Sequence, residues 1–277
     1  MIVYNKEFKV IDTPEKAYVL GFLFSDGFIG EYNKSYTISI VQHINEEYLI
    51  DKIQHLFPFF RKTNYGNNGM ALELTCNKKE LYEDLLALGM YPRKSNENRN
   101  NLRFPNIPIN LQSHFIRGYF DGDGSVYKQK LGNTKMEIGG TCYYMITDII
   151  KILYDNGITV NLRCKYAGTE LRTLDFYILY TSSDKISKQF AEYIYKDCGD
   201  LYMKRKYDKL FYIPEYHKME RLICPTCGGN NTVRMGQRQM LHGLMLRGIC
   251  KDCNKRFSIA APTNSNVSSG EDELLED

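Results

Sequence analysis

The sequence predicts an α+β fold of two pseudo-symmetric αββαββα repeats whose antiparallel sheets form a saddle, with a small cysteine-rich unit after them. Three observations carry this. An apolar, helix-patterned segment ending in Asp-Gly occurs twice. Each copy is followed by the same order of strand and helix signals. Two Cys-x-x-Cys pairs stand apart towards the C-terminus. Aligning Gly21 with Gly118, a shift of 97 residues, superposes Asp26 on Asp123 and Gly27 on Gly124. Without a gap, the same shift lays Tyr48–Ile53 on Met145–Ile150. Two copies of about 100 residues read as a duplicated domain rather than a solenoid.

The first repeat, residues 1–95, opens with Thr13-Pro14-Glu15, an N-cap, a proline at the first helical position and an acid in the first turn. That helix runs to about Asp26, with Gly27 expected as a left-handed cap. Strands over 28–32 and 36–44 flank the turn Asn33-Lys34-Ser35. Apolar spacing then predicts a helix over 45–57, stopped by Pro58. Arg61–Tyr65 and Ala71–Cys76 flank Gly66-Asn-Asn-Gly69 as a second hairpin, and a helix follows over about 78–88. Residues 96–110, rich in Asn and holding Pro105 and Pro108, read as a linker.

The second repeat, residues 111–215, has the same order. A helix over 111–123 precedes strands near 125–130 and 135–140. A helix over 143–155 ends at Asn156-Gly157, strands follow near 159–166 and 173–181, and a helix covers 183–196. Gly21 and Ser25, like Gly118 and Gly122, are small residues four apart, a spacing that lets two helix backbones approach closely. Packed on one another, the two helices bring Asp26 and Asp123 to one point. Carboxylates at a helix C-terminus are unfavourable by roughly 0.3–1 kcal/mol each. Asp121 and Asp123 ending such a helix therefore imply a positive partner, most simply a metal ion. The alternative is a surface Asp-Gly turn.

In bulk, the chain has 277 residues, 43% hydrophobic, enough for a packed core. Its net charge is +3, but residues 263–277 carry five acids and no base, so the remainder is +8. Residues 261–277 read as a disordered acidic tail. The basic remainder fits a nucleic-acid partner. No apolar run reaches membrane length, so no membrane contact is expected, and no apolar leader opens the chain. An intracellular, soluble protein follows. Cys76, Cys142, Cys164 and Cys198 are scattered and expected to be reduced core residues.

Val19-Leu-Gly-Phe-Leu-Phe-Ser-Asp-Gly27 and Ile116-Arg-Gly-Tyr-Phe-Asp-Gly-Asp-Gly124 resemble the paired nonapeptides of the LAGLIDADG homing endonucleases. The resemblance spans about residues 10–215. The first copy departs from the pattern at Phe24, where the family often has an acid. The resemblance implies a single-chain, monomeric, site-specific endonuclease that makes a double-strand break with short 3′ overhangs. It would act on duplex DNA in the cytoplasm or nucleoid of its host. It further implies Mg²⁺ held by Asp26 and Asp123, with backbone carbonyls of Ser25 and Gly122 as added ligands. In the family a lysine sits near the scissile phosphate, and here Lys94 and Lys206 match it, each in a basic patch after its repeat. Gln42 matches a family position that organises water beside the metal, while its repeat partner is Gly139. The alternative reading is a binding protein on an inactive scaffold, either a maturase of intron RNA or a DNA-binding regulator.

Hydrolysing a phosphodiester needs a water nucleophile, neutralised phosphate oxygens and a stabilised leaving oxygen, which a carboxylate-held divalent metal supplies. Close carboxylates repel, so at least one pKa is expected to rise. Strands in a concave sheet can enter the major groove. The basic residues expected there are Lys34, Arg61 and Lys62 in the first repeat, and Lys128, Lys130, Lys135, Arg163, Lys165 and Arg172 in the second.

Residues 216–260 have their own logic. Cys224-Pro-Thr-Cys227, 22 residues, then Cys250-Lys-Asp-Cys253 is the spacing of a structural zinc ribbon. Four thiolates close the metal to chemistry. A unit of about forty residues needs such a staple to fold. It looks like the small ribbons of transposases and related DNA-binding proteins. With Arg234, Arg238 and Arg247 nearby, it reads as an auxiliary DNA-binding module.

Overall fold

A computed structural model describes residues 7–66, 69–128, 133–167, 174–211, 222–240 and 243–260, without the side chains of 128, 234, 237, 239 and 244. The chain divides into two compact units, Met1–Ile213 and Pro214–Asp277. Among the described residues no helix is long and apolar enough to cross a membrane.

The first unit contains both repeats. The first repeat is α1 (Pro14–Asp26), β1 (Gly27–Tyr32), β2 (Ser35–His43), α2 (Glu47–Leu56), β3 (Arg61–Tyr65), β4 (Ala71–Cys76) and α3 (Lys79–Ala87). The second is α4 (Gln112–Asp123), β5 (Gly124–Lys128), β6 (Thr134–Gly140), α5 (Tyr143–Asp155), β7 (Asn161–Lys165), β8 (Phe176–Thr181) and α6 (Asp184–Tyr195). Each repeat builds a four-stranded antiparallel sheet in the same order, β1-β2-β4-β3 and β5-β6-β8-β7. The predicted elements are present, with ends shifted by up to about three residues. The expectation lacked α7 (Lys204–Phe211), a short helix after α6 that the basic run Lys204-Arg205-Lys206 had suggested only as a patch.

Residues 17–25 of α1 are all buried, so this helix is apolar on every side and forms the centre of the unit. α1 and α4 touch through their backbones. A Cβ on Gly21 would lie 2.0 Å from the Phe115 carbonyl oxygen, and one on Gly118 would lie 1.9 Å from that of Tyr18. A Cβ on Gly122 would meet Ser25 Oγ at 2.0 Å. The expected left-handed cap is corrected. Gly27 is extended, with φ −75° and ψ 151°. Glycine is needed there for space, since a Cβ would sit 2.5 Å from the Leu23 carbonyl oxygen. Left-handed residues occur instead at the hairpin tip, Asn33 and Lys34. Two successive positive φ angles suit the twist of a tight hairpin.

The second unit is a three-stranded antiparallel sheet in the order β11-β10-β9, from β9 (Thr232–Met240), β10 (Gly243–Cys250) and β11 (Arg256–Ala260). Its small core is Cys224, Cys250 and Phe257. The expected acidic tail, 261–277, lies outside the described residues.

Candidate active site

α1 and α4 end side by side because small residues line their crossing, and each passes straight into the first strand of its own sheet. Asp26 and Asp123 are the last residues of the two helices, and both are exposed at that surface. The pair interacts. Desolvation by the packed helix ends, then the neighbouring Asp26 carboxylate, push the Asp123 pKa up to about 7; Lys94, Lys206 and the Tyr119 hydroxyl oppose the rise. Asp123 is exposed as a residue although its carboxyl stands among the atoms of the packed helix ends.

A side chain from β2 orients the first carboxylate. Gln42 Nε2, on β2, donates to Asp26 Oδ2 at 2.6 Å. The matching position of the second repeat is Gly139, which leaves room for Phe176: a Cβ on Gly139 would lie 2.6 Å from that ring. Beside Asp123 that space forms a cavity of about 310 Å³, lined in part by Tyr119, Ser125, Glu137 and Lys165.

The two lysines reach the helix ends differently. Lys94 follows Arg93, whose left-handed backbone (φ 54°) turns the chain, and its Nζ donates to the Gly27 carbonyl. Burial lowers its pKa, opposed by Asp123 and Asp26. The end of the first repeat is held there by the second: Thr141 Oγ1 donates to the Ser95 carbonyl at 2.6 Å and Cys142 Sγ to that of Lys94 at 3.2 Å. Lys206 is 2% exposed and donates to three carbonyls at the end of α4, those of Phe120 (2.8 Å), Asp121 (2.6 Å) and Gly122 (3.0 Å). A cation on the negative end of a helix is well placed electrostatically. Burial nevertheless lowers its pKa to about 8, against the attraction of Asp121.

Asp121, expected from its position to face a positive ion beside Asp123, does not face the surface. It is fully buried and accepts from Tyr18 Oη (2.9 Å), Tyr195 Oη (3.1 Å) and the Met203 N–H (2.8 Å). Burial raises its pKa, with Lys206 the largest opposing influence. Its counterpart in the first repeat, Phe24, is 1% exposed and packs edge-on against Phe115 with ring centroids 5.3 Å apart. Alternate spacing explains both: these positions lie two residues before the helix-end aspartate and point into the core. Sequence reasoning missed Tyr119, Tyr195 and Met203 as partners of these carboxylates, since each meets its acid through the fold alone.

The expected basic surface divides by strand register. Arg61 pairs across from Thr75, and Arg163 and Lys165 from Ile178 and Phe176, on the sheet faces turned away from the helices. Lys34 is exposed at the hairpin tip. Lys135 shares the open face but is 7% exposed, paired with Glu137 at 2.8 Å and covered by the Tyr127 and Tyr180 rings. Arg163 also bonds Glu137, at 3.1 Å. Lys62 is corrected: its side chain turns to the helical layer and is bound by Glu47 (2.7 Å) and Asp51 of α2. Lys130, Arg172 and the side chains of Lys128 and Arg234 lie outside the described residues.

In the second unit Cys224, Cys227, Cys250 and Cys253 gather with their Sγ atoms all within 4.8 Å of one another, a group that fits a zinc ribbon. Cys224–Cys253 and Cys227–Cys250 Sγ separations are 3.6 and 3.5 Å. Four thiolates at about 2.3 Å from a tetrahedral zinc are separated by similar distances. Both turns share one device. A left-handed residue, Gly228 or Asn254, follows the second cysteine, and the chain bonds back to the first: Cys224 N–H to Gly229 O, and Cys250 N–H to Lys255 O, both 2.9 Å.

The family described as LAGLIDADG-like domain matches residues 110–195, the greater part of the second repeat. The solved structure of I-DmoI in complex with DNA and Ca is 15% identical, spans 69% of this chain and 92% of that chain, and has a TM-score of 0.46. The LAGLIDADG meganuclease I-AabMI bound to uncleaved DNA is 12% identical, over 73% and 89%, with a TM-score of 0.47. The homing endonuclease I-GzeII in complex with its DNA target is 12% identical, over 73% and 88%, with a TM-score of 0.47. No curated protein matches the chain.

Proposed function

We propose that this chain is a site-specific endonuclease that hydrolyses both strands of duplex DNA with a divalent metal, Mg²⁺, and carries a structural Zn²⁺ in its ribbon. The observation that carries the reading is the pair Asp26 and Asp123, set at adjoining helix ends with one carboxyl raised to about 7 in part by the other. Two acids in that arrangement are costly without a cation, and an oxygen-only donor set suits Mg²⁺. Asp26 and Asp123 would hold it, with the Ser25 and Gly122 carbonyls beside them. When bound, the metal supplies charge neutralisation at the phosphate and a more acidic water.

The chain's own residues do the rest. Gln42 keeps one Asp26 oxygen oriented, leaving the other free to hold the metal. Lys94 and Lys206 place positive charge at the helix ends, where the transition state gains negative charge. The open sheet faces with Arg61, Arg163 and Lys165 would position the duplex through its phosphates. The ribbon, whose four thiolates leave no open metal position, would bind flanking duplex and supply no cut. Monomeric action follows from both acids lying in one chain.

The test is cleavage of a target selected from a randomised duplex library. Asp26→Asn and Asp123→Asn should each abolish double-strand cutting in Mg²⁺ while most duplex affinity survives. Full cutting by both variants would sink the assignment.

A further inference from the structure

The second unit has two unlike sheet faces. On β10, Leu246, Gly248 and Cys250 point inward, towards the Phe257 side of the sheet and the cysteine cluster. The residues between them, Met245, Arg247 and Ile249, point to the other face. Register places a partner on each side of this row. Arg256 of β11 stands opposite Ile249, Arg247 stands opposite Gly236, and Arg238 of β9 stands opposite Met245. Arg256, Arg247 and Arg238 therefore form a diagonal across three adjacent strands, each step one strand over and two residues along.

All three arginines are exposed. None makes an ion pair or a side-chain hydrogen bond among the described residues. The described ribbon has a single acid, Asp252, whose Oδ1 already accepts from Asn231 Nδ2 at 2.9 Å. A diagonal step in an antiparallel sheet separates side chains by about 7–8 Å. That is wide enough for three guanidinium groups to engage separate anions and too close for them to stand unscreened without cost. Guanidinium is always charged and matches phosphate oxygens with two parallel hydrogen bonds. The sheet beneath is fixed by the cysteine cluster, so the three groups are held on a rigid base.

We propose that Arg238, Arg247 and Arg256 on the outer face of the ribbon sheet form a phosphate-backbone site for duplex DNA. The choice of duplex DNA rests on the nuclease reading above. The site is sequence-independent: it touches phosphates, leaves base edges unread and adds affinity without adding specificity.

The test measures how affinity for a random-sequence duplex falls with salt, with the full chain and no divalent metal, so that no strand is cut. Every phosphate that a variant no longer neutralises lowers the slope of log K against log salt by about 0.9. The combined Arg238→Ala, Arg247→Ala, Arg256→Ala chain should lower that slope by roughly 2.7 while keeping its zinc. Arginine-to-lysine replacement at the same three positions should restore most of it. A control chain with Lys151→Ala, Lys185→Ala and Lys188→Ala, the same charge removed from α5 and α6, should keep the wild-type slope. An unchanged slope in the arginine variant overturns the site, as does an equal drop in the control. A drop seen on structured RNA and not on duplex DNA overturns the choice of partner. If the unaltered chain shows no salt-dependent duplex binding at all, the nuclease reading falls with it. Binding that survives the arginine variant sinks only this inference.

Discussion

Asp121 and Asp123 differ by two positions and share a residue type, yet their surroundings give them different work. Asp121 is a buried anchor for three donors; its removal would leave Tyr18, Tyr195 and the Met203 N–H without their acceptor. Asp121→Ala should therefore destabilise the first unit by roughly 2–4 kcal/mol, the range for unsatisfied buried groups taken together. Chemical denaturation reads this. A change within error would mean that water replaces the carboxylate. Asp123 titrates instead. Its folded pKa of about 7 lies above its ordinary 3.8, so in metal-free protein its contribution to stability is full below about 4 and lost as pH rises through about 7. Metal must displace the same proton, so apparent metal affinity should rise about tenfold per pH unit below 7 and flatten above it. Titration calorimetry at several pH values checks this, and a flat profile would contradict the raised pKa. Gln42 was legible as a position beside the metal, with Gly139 as its repeat partner; its bond to Asp26 was not. What filled the space, Phe176, was not, because it comes from a different strand.

At the scale of elements, the α1–α4 pair sets the geometry of the site. Its glycines were readable as small residues four apart. That they meet carbonyl oxygens across the crossing, at hypothetical Cβ distances near 2 Å, depends on the crossing itself. Gly21→Ala or Gly118→Ala should force the backbones apart at a cost of about 1–3 kcal/mol. Because the carboxylates ride on these helices, cleavage should fall by more than the stability change explains. Comparing the thermal midpoint with the rate at a temperature where the variant is fully folded separates the two effects. α7 escaped the sequence reading because its eight residues carry four bases and few apolar positions. Its place is set by long-range partners: the Lys204 N–H bonds Tyr48 Oη at 2.6 Å, Arg205 bonds Glu46 at 2.7 Å, and Lys206 caps α4. Two of those partners lie in the first repeat, more than 150 positions earlier in the chain. No local pattern encodes that docking.

For the whole molecule, the division is between a large unit with one continuous core and a small one whose core is three residues. A unit with so small a core would depend on the zinc proposed for its four cysteines, and the large core of the first unit would not. Cys250→Ser with Cys253→Ser should remove one zinc per chain and unfold the second unit alone. Metal analysis should show the zinc gone, and the main thermal transition should stay where it is. A shifted main transition would show that the two units are energetically coupled. The charge pattern was legible at this scale too: a net excess of bases up to position 262, and acids without a base after it.

By itself the sequence determined the duplication, the order of strands and helices in each repeat, the two aspartates and the four cysteines, because all of these are written in local periodicity and spacing. Tertiary structure alone decided which of those residues act together. Lys62 and Arg61 are neighbours on β3, and the pleat sends one to the acids of α2 and the other to the open face. Asp121 looked like a ligand and became an anchor because a helix end has an inside and an outside, and two residues along a helix separate them. The arginine diagonal of the ribbon joins positions 238, 247 and 256, which only strand register brings into line. Period and composition are properties of a segment, whereas burial and register are properties of what the segment packs against.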